Sequence, residues 1–102
     1  MGLHLNGFVG KDRSKPYQNG LDNVFIYVYW ERDDILLLAN TTDAGYIQKV
    51  WVPYDKSSNV YVFVSYEKFE VLPEETEFDP DLYRWYHDVG QETVEVEFYL
   101  DK

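Results

Sequence analysis

The chain has 102 residues, a net charge of −10 and no cysteine. This length is typical of one domain with a single core, and we interpret residues 1–102 as that domain. The lack of cysteine excludes disulfides, thiolate catalysis and zinc sites built on cysteine. Met1 leads into a segment without the features of a signal peptide, and no apolar stretch is long enough to span a membrane. We therefore expect a cytoplasmic protein that makes no membrane contact.

The first half of the chain predicts three short strands separated by polar loops. Residues 2–9 predict a strand that is interrupted at Gly7. After a turn-rich loop, residues 24–30 predict the central strand, because large apolar or aromatic side chains fall on both of its faces. The brief apolar run at residues 35–39 also favours a strand.

The second half predicts a hairpin, an acidic loop and a last strand. Residues 47–54 and 60–65 alternate in character and are joined by a short polar connection, which is typical of a hairpin. Residues 73–81 contain two prolines and five acids, so we expect an exposed loop there, followed by a short helical turn near 81-88. Residues 93–100 predict a strand with one wet face, as at a sheet edge.

These elements together predict a mainly β fold. We expect a small antiparallel barrel or curled sheet of five to seven strands, with at most one short helical turn near 81-88. An oligonucleotide-binding (OB) barrel is one architecture that fits this description.

The sequence offers little support for an enzyme. His4 and His87 are far apart, and neither lies in a spacing typical of metal ligands. There is no nucleophile elbow, glycine-rich phosphate loop or HExxH motif, and the acids lack the order of an EF-hand. We therefore expect no catalysis, no metal and no cofactor.

The charge is concentrated in the last third of the chain. Residues 1–64 form a near-neutral β core with seven acids and six bases, whereas residues 65–102 hold twelve acids and three bases. Carboxylates interspersed with aromatic side chains can match the charge pattern of nucleic acid and attract basic proteins. The first interpretation is therefore a non-enzymatic acidic binding protein with a basic protein partner, such as a phage or mobile-element inhibitor that occupies a nucleic-acid-binding surface. The candidate partner-binding residues are Glu74, Glu75, Glu77, Phe78, Asp79, Asp81, Tyr83, Trp85 and Tyr86.

A second interpretation rests on the basic loop in the first third. Stacking of bases on aromatic rings beside a few cations is how OB barrels hold single strands. The order Gly7-Phe8, a basic loop, Lys15-Pro16-Tyr17 and a strand bearing Tyr27 and Tyr29 resembles the small single-stranded-DNA-binding proteins of filamentous phages. This resemblance covers only the first third; it implies a five-stranded OB barrel that dimerises and coats single-stranded DNA. The contacts it implies are Lys11, Arg13, Lys15, Tyr17, Tyr27 and Tyr29.

The acidic third has no counterpart in that family, and a charge of −10 opposes nucleic-acid binding unless the acids lie on another face. A third interpretation is a structural or assembly subunit. Under any of the three, an edge strand could support a homodimer.

Overall fold

The structure, a computed structural model, describes residues 2–53, 59–72, 83–86 and 93–100. These residues form strands and no helix, which confirms the mainly β prediction. The strands are β1 (Gly2–Gly10), β2 (Phe25–Trp30), β3 (Ile35–Thr41), β4 (Tyr46–Pro53), β5 (Val60–Ser65), β6 (Tyr83–Tyr86) and β7 (Thr93–Tyr99).

The seven described strands form two sheets and do not close into a barrel. Sheet A has the order β4-β1-β7, in which β1 is antiparallel to β4 and parallel to β7. Sheet B has the order β3-β2-β5-β6 and is antiparallel throughout. The alternating residues of both sheets meet in one core, because every second side chain of a strand points to the same face. Its members include Leu3, Leu5, Val9, Ile26, Val28, Val52, Val60, Val62, Val96 and Phe98.

The central strand β2 is covered on both faces, as its composition predicts. Ile26 and Val28 face the core, whereas Tyr27 lies on the opposite face and is nevertheless fully buried. Phe63 stacks on the Tyr27 ring with centroids 5.0 Å apart, and Phe69 lies 5.8 Å away. The segment after β5 therefore folds over the outer face of sheet B instead of extending that strand.

Hydrogen bonds fix this covering segment in place. The Tyr27 hydroxyl donates to the Glu67 carbonyl at 3.2 Å and accepts from the Phe69 N–H at 2.7 Å. A buried hydroxyl needs such partners, since an unpaired polar group away from water is costly. Tyr27 thus serves as a packed and fully satisfied core residue of the outer layer.

A tight turn carries the chain from sheet B to sheet A. Asp43 and Tyr46 bridge the turn, and the two residues between them, Ala44 and Gly45, have φ angles of +53° and +88°. Two successive positive φ values are typical of a type I′ hairpin turn. A Cβ atom at Gly45 would lie 2.5 Å from the Gly20 Cα, so the loop before β2 packs directly on this turn.

Two expectations from the sequence are wrong, one about strand pairing and one about a helical turn. Residues 47–54 and 60–65 do not form a hairpin: β4 pairs with β1, and β5 pairs with β2 in the other sheet. Their apolar faces meet across the core rather than edge to edge. In the region 81-88, Tyr83–Tyr86 form a strand against β5 and not a helical turn, because alternate residues face the core and the solvent. The remainder of 81-88 lies outside the described residues.

Candidate functional site

The acidic third supplies the last strand of each sheet, and one side chain connects these two strands. β6 is the last strand of sheet B and β7 is the last strand of sheet A. Arg84 of β6 connects them: its Nη2 donates to the Glu97 carbonyl of β7 at 2.8 Å. The Arg84 guanidinium also lies over the Phe98 ring, 5.0 Å from its centroid, at a distance suited to a cation–π contact. We refer to β6 and β7 together as the acidic edge.

The aromatic side chains of the acidic edge are divided between core and solvent. Trp85 pairs with Tyr61 on the outer face, and 53% of its surface is exposed. Tyr86 points the other way and packs against the core, and burial raises its pKa to about 12. Trp85 therefore presents about half of its surface to solvent, whereas Tyr86 is mainly structural. Tyr83 is the first residue of β6, and its side chain is outside the described part of the structure.

Carboxylates of β7 line the outer face of sheet A, whereas Trp85 lies on the outer face of sheet B. Glu95 is exposed, and Glu97 is half-buried beside Tyr99, whose hydroxyl donates to it. Burial and this hydrogen bond raise the pKa of Tyr99 to about 12. Burial, followed by the fields of Glu97 and Glu95, also raises the pKa of Tyr17. The face of sheet A next to β7 is thus under negative potential.

Six of the nine predicted partner-binding residues fall in the segment 73–82, which lies outside the described residues. They are Glu74, Glu75, Glu77, Phe78, Asp79 and Asp81. In the chain this segment joins Leu72 to the first residue of β6.

The structure does not bring together the alternative nucleic-acid-binding set. The loop with Lys11, Arg13 and Lys15 lies by the outer face of sheet A, where the Tyr17 ring packs 5.3 Å from that of Phe8. Tyr27 and Tyr29 belong instead to the outer face of sheet B. A base cannot stack on the fully buried Tyr27.

Tyr29 is held in a polar contact of its own. Its hydroxyl donates to Asp34 at 2.7 Å, and this bond, with some burial, raises the pKa of Tyr29 to about 12. A carboxylate next to the ring disfavours a nearby phosphate. The strand tyrosines and the basic loop therefore do not form one continuous surface.

The sequence interpretation missed an aromatic surface on the outer face of sheet A. Tyr46 and Trp51 of β4 are exposed over 52% and 51% of their surface. The Tyr46 ring contacts Phe8 edge-on at 5.3 Å, and the Trp51 ring lies 4.7 Å from that of His4. Strict alternation would place Tyr46 and Trp51 on opposite faces, because they are five residues apart. The register shift between β1 and β4 brings both to the outer face, opposite the core-facing Ile47 and Val52, so the sequence pattern alone gave no signal of this surface.

The described residues contain neither a cluster of metal-binding side chains nor a helix that could span a membrane. Nowhere among them do three or more His, Cys, Asp or Glu side chains cluster as they would around a metal ion. The same part of the chain contains no helix of the length and apolarity needed to cross a membrane.

Comparisons with known proteins found no similarity: no family model, no curated protein and no solved structure matches this chain.

Proposed function

We propose that this protein is a non-enzymatic acidic binding protein, and that the acidic edge with the preceding segment 73–82 is its working surface. The partner is a basic protein whose nucleic-acid-binding surface it occupies, as a phage or mobile-element inhibitor would. The observation that carries the proposal is the exposed Trp85 on an edge strand within the part of the chain that holds a charge of −9.

Two physical arguments support this assignment. Tryptophan is enriched at the energetic centre of protein interfaces, and Trp85 stands on a strand that is tied to β7 by Arg84 and so is held in position. The excess of carboxylates in this third of the chain steers a basic partner toward it and repels nucleic acid. Such binding weakens as salt is added, because screening removes the long-range attraction.

The test starts with DNA–cellulose loaded with basic nucleic-acid-binding proteins, from which this protein should release its partner. The affinity for a released protein is then measured with two variants of equal charge. The first variant replaces four carboxylates of the acidic segment by amides, and the second replaces four carboxylates elsewhere. Each changes the net charge from −10 to −6. The first is Glu74→Gln/Glu75→Gln/Glu77→Gln/Asp79→Asn, and the second is Asp12→Asn/Asp33→Asn/Asp34→Asn/Asp43→Asn.

We expect the first variant to lose at least about tenfold in affinity and the second to change by less than about threefold. Trp85→Ala should cost roughly 2 kcal/mol, or about thirtyfold. Trp51→Ala is its matched control, since the two side chains are 53% and 51% exposed but lie on different surfaces. Equal losses from both charge variants, or no release of any protein, would contradict the proposal.

A second candidate function is single-stranded nucleic-acid binding at the basic loop alone. The observation in its favour is that Tyr17 and Tyr46, each 52% exposed, stand over Phe8 beside that loop. Anisotropy of a labelled oligonucleotide at low salt tests it. Three phosphate contacts predict a log–log salt slope of about −2 and loss of binding in Lys11→Ala/Arg13→Ala/Lys15→Ala. No binding at about 10 mM salt, where screening is weakest, rejects it.

A further inference from the structure

The two described sheets have four edge strands, and three of them carry features that hinder pairing with another chain. β6 has four residues within the described part of the chain, and β7 presents Glu95 and Glu97. β4 has a register shift opposite Leu5–Gly7, an exposed Lys49 and Pro53 at its end. Short length, charge, bulges and proline are the devices by which edge strands avoid further pairing.

The fourth edge strand, β3, lacks such features over most of its length. It has seven residues without a charge or a proline, and its neighbour among the described strands is β2 on one side alone. Its apolar side chains are exposed: Ile35 by 52%, Leu37 by 48% and Leu38 by 37%. The pairing with β2 is regular from Ile35 to Leu38, and the register shift occurs beyond that point. β3 therefore offers both backbone hydrogen-bonding groups and apolar surface at one edge.

The sequence around β3 is suited to pairing with itself. In an antiparallel pair related by a two-fold axis, residues at equal distances before and after the centre lie opposite each other. With Leu37 at the centre, Leu36 faces the partner's Leu38, and Ile35 faces the partner's Ala39. Beyond the apolar centre, Asn40 and Thr41 of one copy lie nearest the turn that carries Asp33 and Asp34 of the other, because those two residues precede β3. No carboxylate is placed directly opposite a carboxylate in this register, although each copy carries a charge of −10.

We propose that two copies of this chain dimerise through β3, antiparallel and centred on Leu37. The four-stranded sheets B of the two copies then form one continuous sheet of eight strands. This goes beyond the proposed function, because β3 lies at the opposite end of sheet B from β6 and leaves the acidic edge free. A second copy is favoured over a basic peptide, since no acidic side chain lies within the strand to attract one.

The salt dependence of the affinity distinguishes dimerisation from binding of a basic partner. The total charge of each copy opposes association, so screening strengthens the dimer. Binding of a basic partner at the acidic edge responds in the opposite direction. Sedimentation of the full chain from about 1 to about 300 μM should therefore give a dimer whose Kd falls as salt rises from about 0.1 to about 1 M.

The first variant is Leu37→Lys, which places two ammonium groups next to each other at the two-fold axis. Because Leu37 is already 48% exposed, the lysine should be accommodated in the monomer, which circular dichroism checks. We expect the Kd of the dimer to rise at least about tenfold, since like charges directly opposite are destabilising. Val71→Lys, at a side chain that is 75% exposed, is the control and should leave the dimer unchanged.

The second variant uses the absence of cysteine from the chain. In Leu37→Cys, the two introduced cysteines of a dimer lie opposite each other at the two-fold axis. Opposite Cβ atoms in such a pair are roughly 4.5–5.5 Å apart, which is close to the range of a disulfide. Mild oxidation should give a cross-linked dimer from Leu37→Cys and far less from Val71→Cys. A monomeric wild-type chain at all concentrations, or association that Leu37→Lys leaves unchanged, would overturn the proposal. Equal cross-linking of the two cysteine variants would do the same.

Discussion

Replacement of Thr42 by Val tests the hydrogen bonding that joins the loop before β2 to the turn after β3. Thr42 is 4% exposed, and its hydroxyl accepts from the Val24 N–H at 3.0 Å while it donates to the Leu21 carbonyl. Its backbone bonds Val24 as well, with N–H to carbonyl at 3.0 Å. Valine has nearly the same shape, so the substitution removes the hydroxyl and leaves the packing almost unchanged.

The expected cost follows from the burial of the partners. Val24 is fully buried, so its N–H would have no water to replace the lost acceptor. An unsatisfied buried donor costs about 1–3 kcal/mol, and loss of the second bond adds about 1 kcal/mol. We expect Thr42→Val to lower the free energy of unfolding by about 2–4 kcal/mol. For a domain of this size that corresponds to a fall in Tm of roughly 10–25 °C.

Urea unfolding, followed by the fluorescence of the three tryptophans, measures this cost. The midpoint should fall while the slope m stays constant, because the surface exposed on unfolding does not change. Thr42→Ser is the matched control, since it keeps the hydroxyl and loses one methyl group, at about 1 kcal/mol. A loss below about 0.5 kcal/mol in Thr42→Val, or an equal loss in both variants, would refute the reasoning.

Two further substitutions test the turn and the acidic edge. Ala44→Asn should raise Tm by about 2–8 °C in differential scanning calorimetry, because asparagine tolerates the φ of +53° at this position better than alanine; a lower Tm would contradict this. The pKa of Tyr86 is raised to about 12, above the value near 10 of an unfolded chain. Its contribution to stability is therefore complete below about pH 10 and is lost as the pH rises through about 12. Tyr86→Phe should flatten the decline of unfolding free energy across this range, and an unchanged decline would contradict the assignment.

The sequence predicts the strands well and their neighbours poorly. The alternation in residues 24–30 and 93–100 identifies β2 and β7 and their buried faces, because the period of two follows directly from strand geometry. The same pattern carries no information on which strand lies beside which. A short connection between β4 and β5 therefore predicts a hairpin, although the chain crosses from one sheet to the other.

Charge counting identifies the acidic third, and the structure shows that Trp85 within it is half exposed. The assignment of this third as a binding surface stays a prediction. Which aromatic side chains face solvent depends on tertiary packing. Tyr17 and Tyr27 are the same residue type, yet one is half exposed and the other is covered by Phe63 and Phe69.

The parallel pairing of β1 with β7 has a consequence for how the protein folds. The pair His4–Thr93 joins positions 89 residues apart, from 93 minus 4, and β1 is the middle strand of its sheet. Contacts this distant in sequence form slowly, because the loop they close must lose its freedom before any pairing is gained. During synthesis, Leu5 remains without its β7 partner Val94 until that residue has emerged from the ribosome. We expect the pairing of β1 with β7 to form later than the local pairing of β2 with β3.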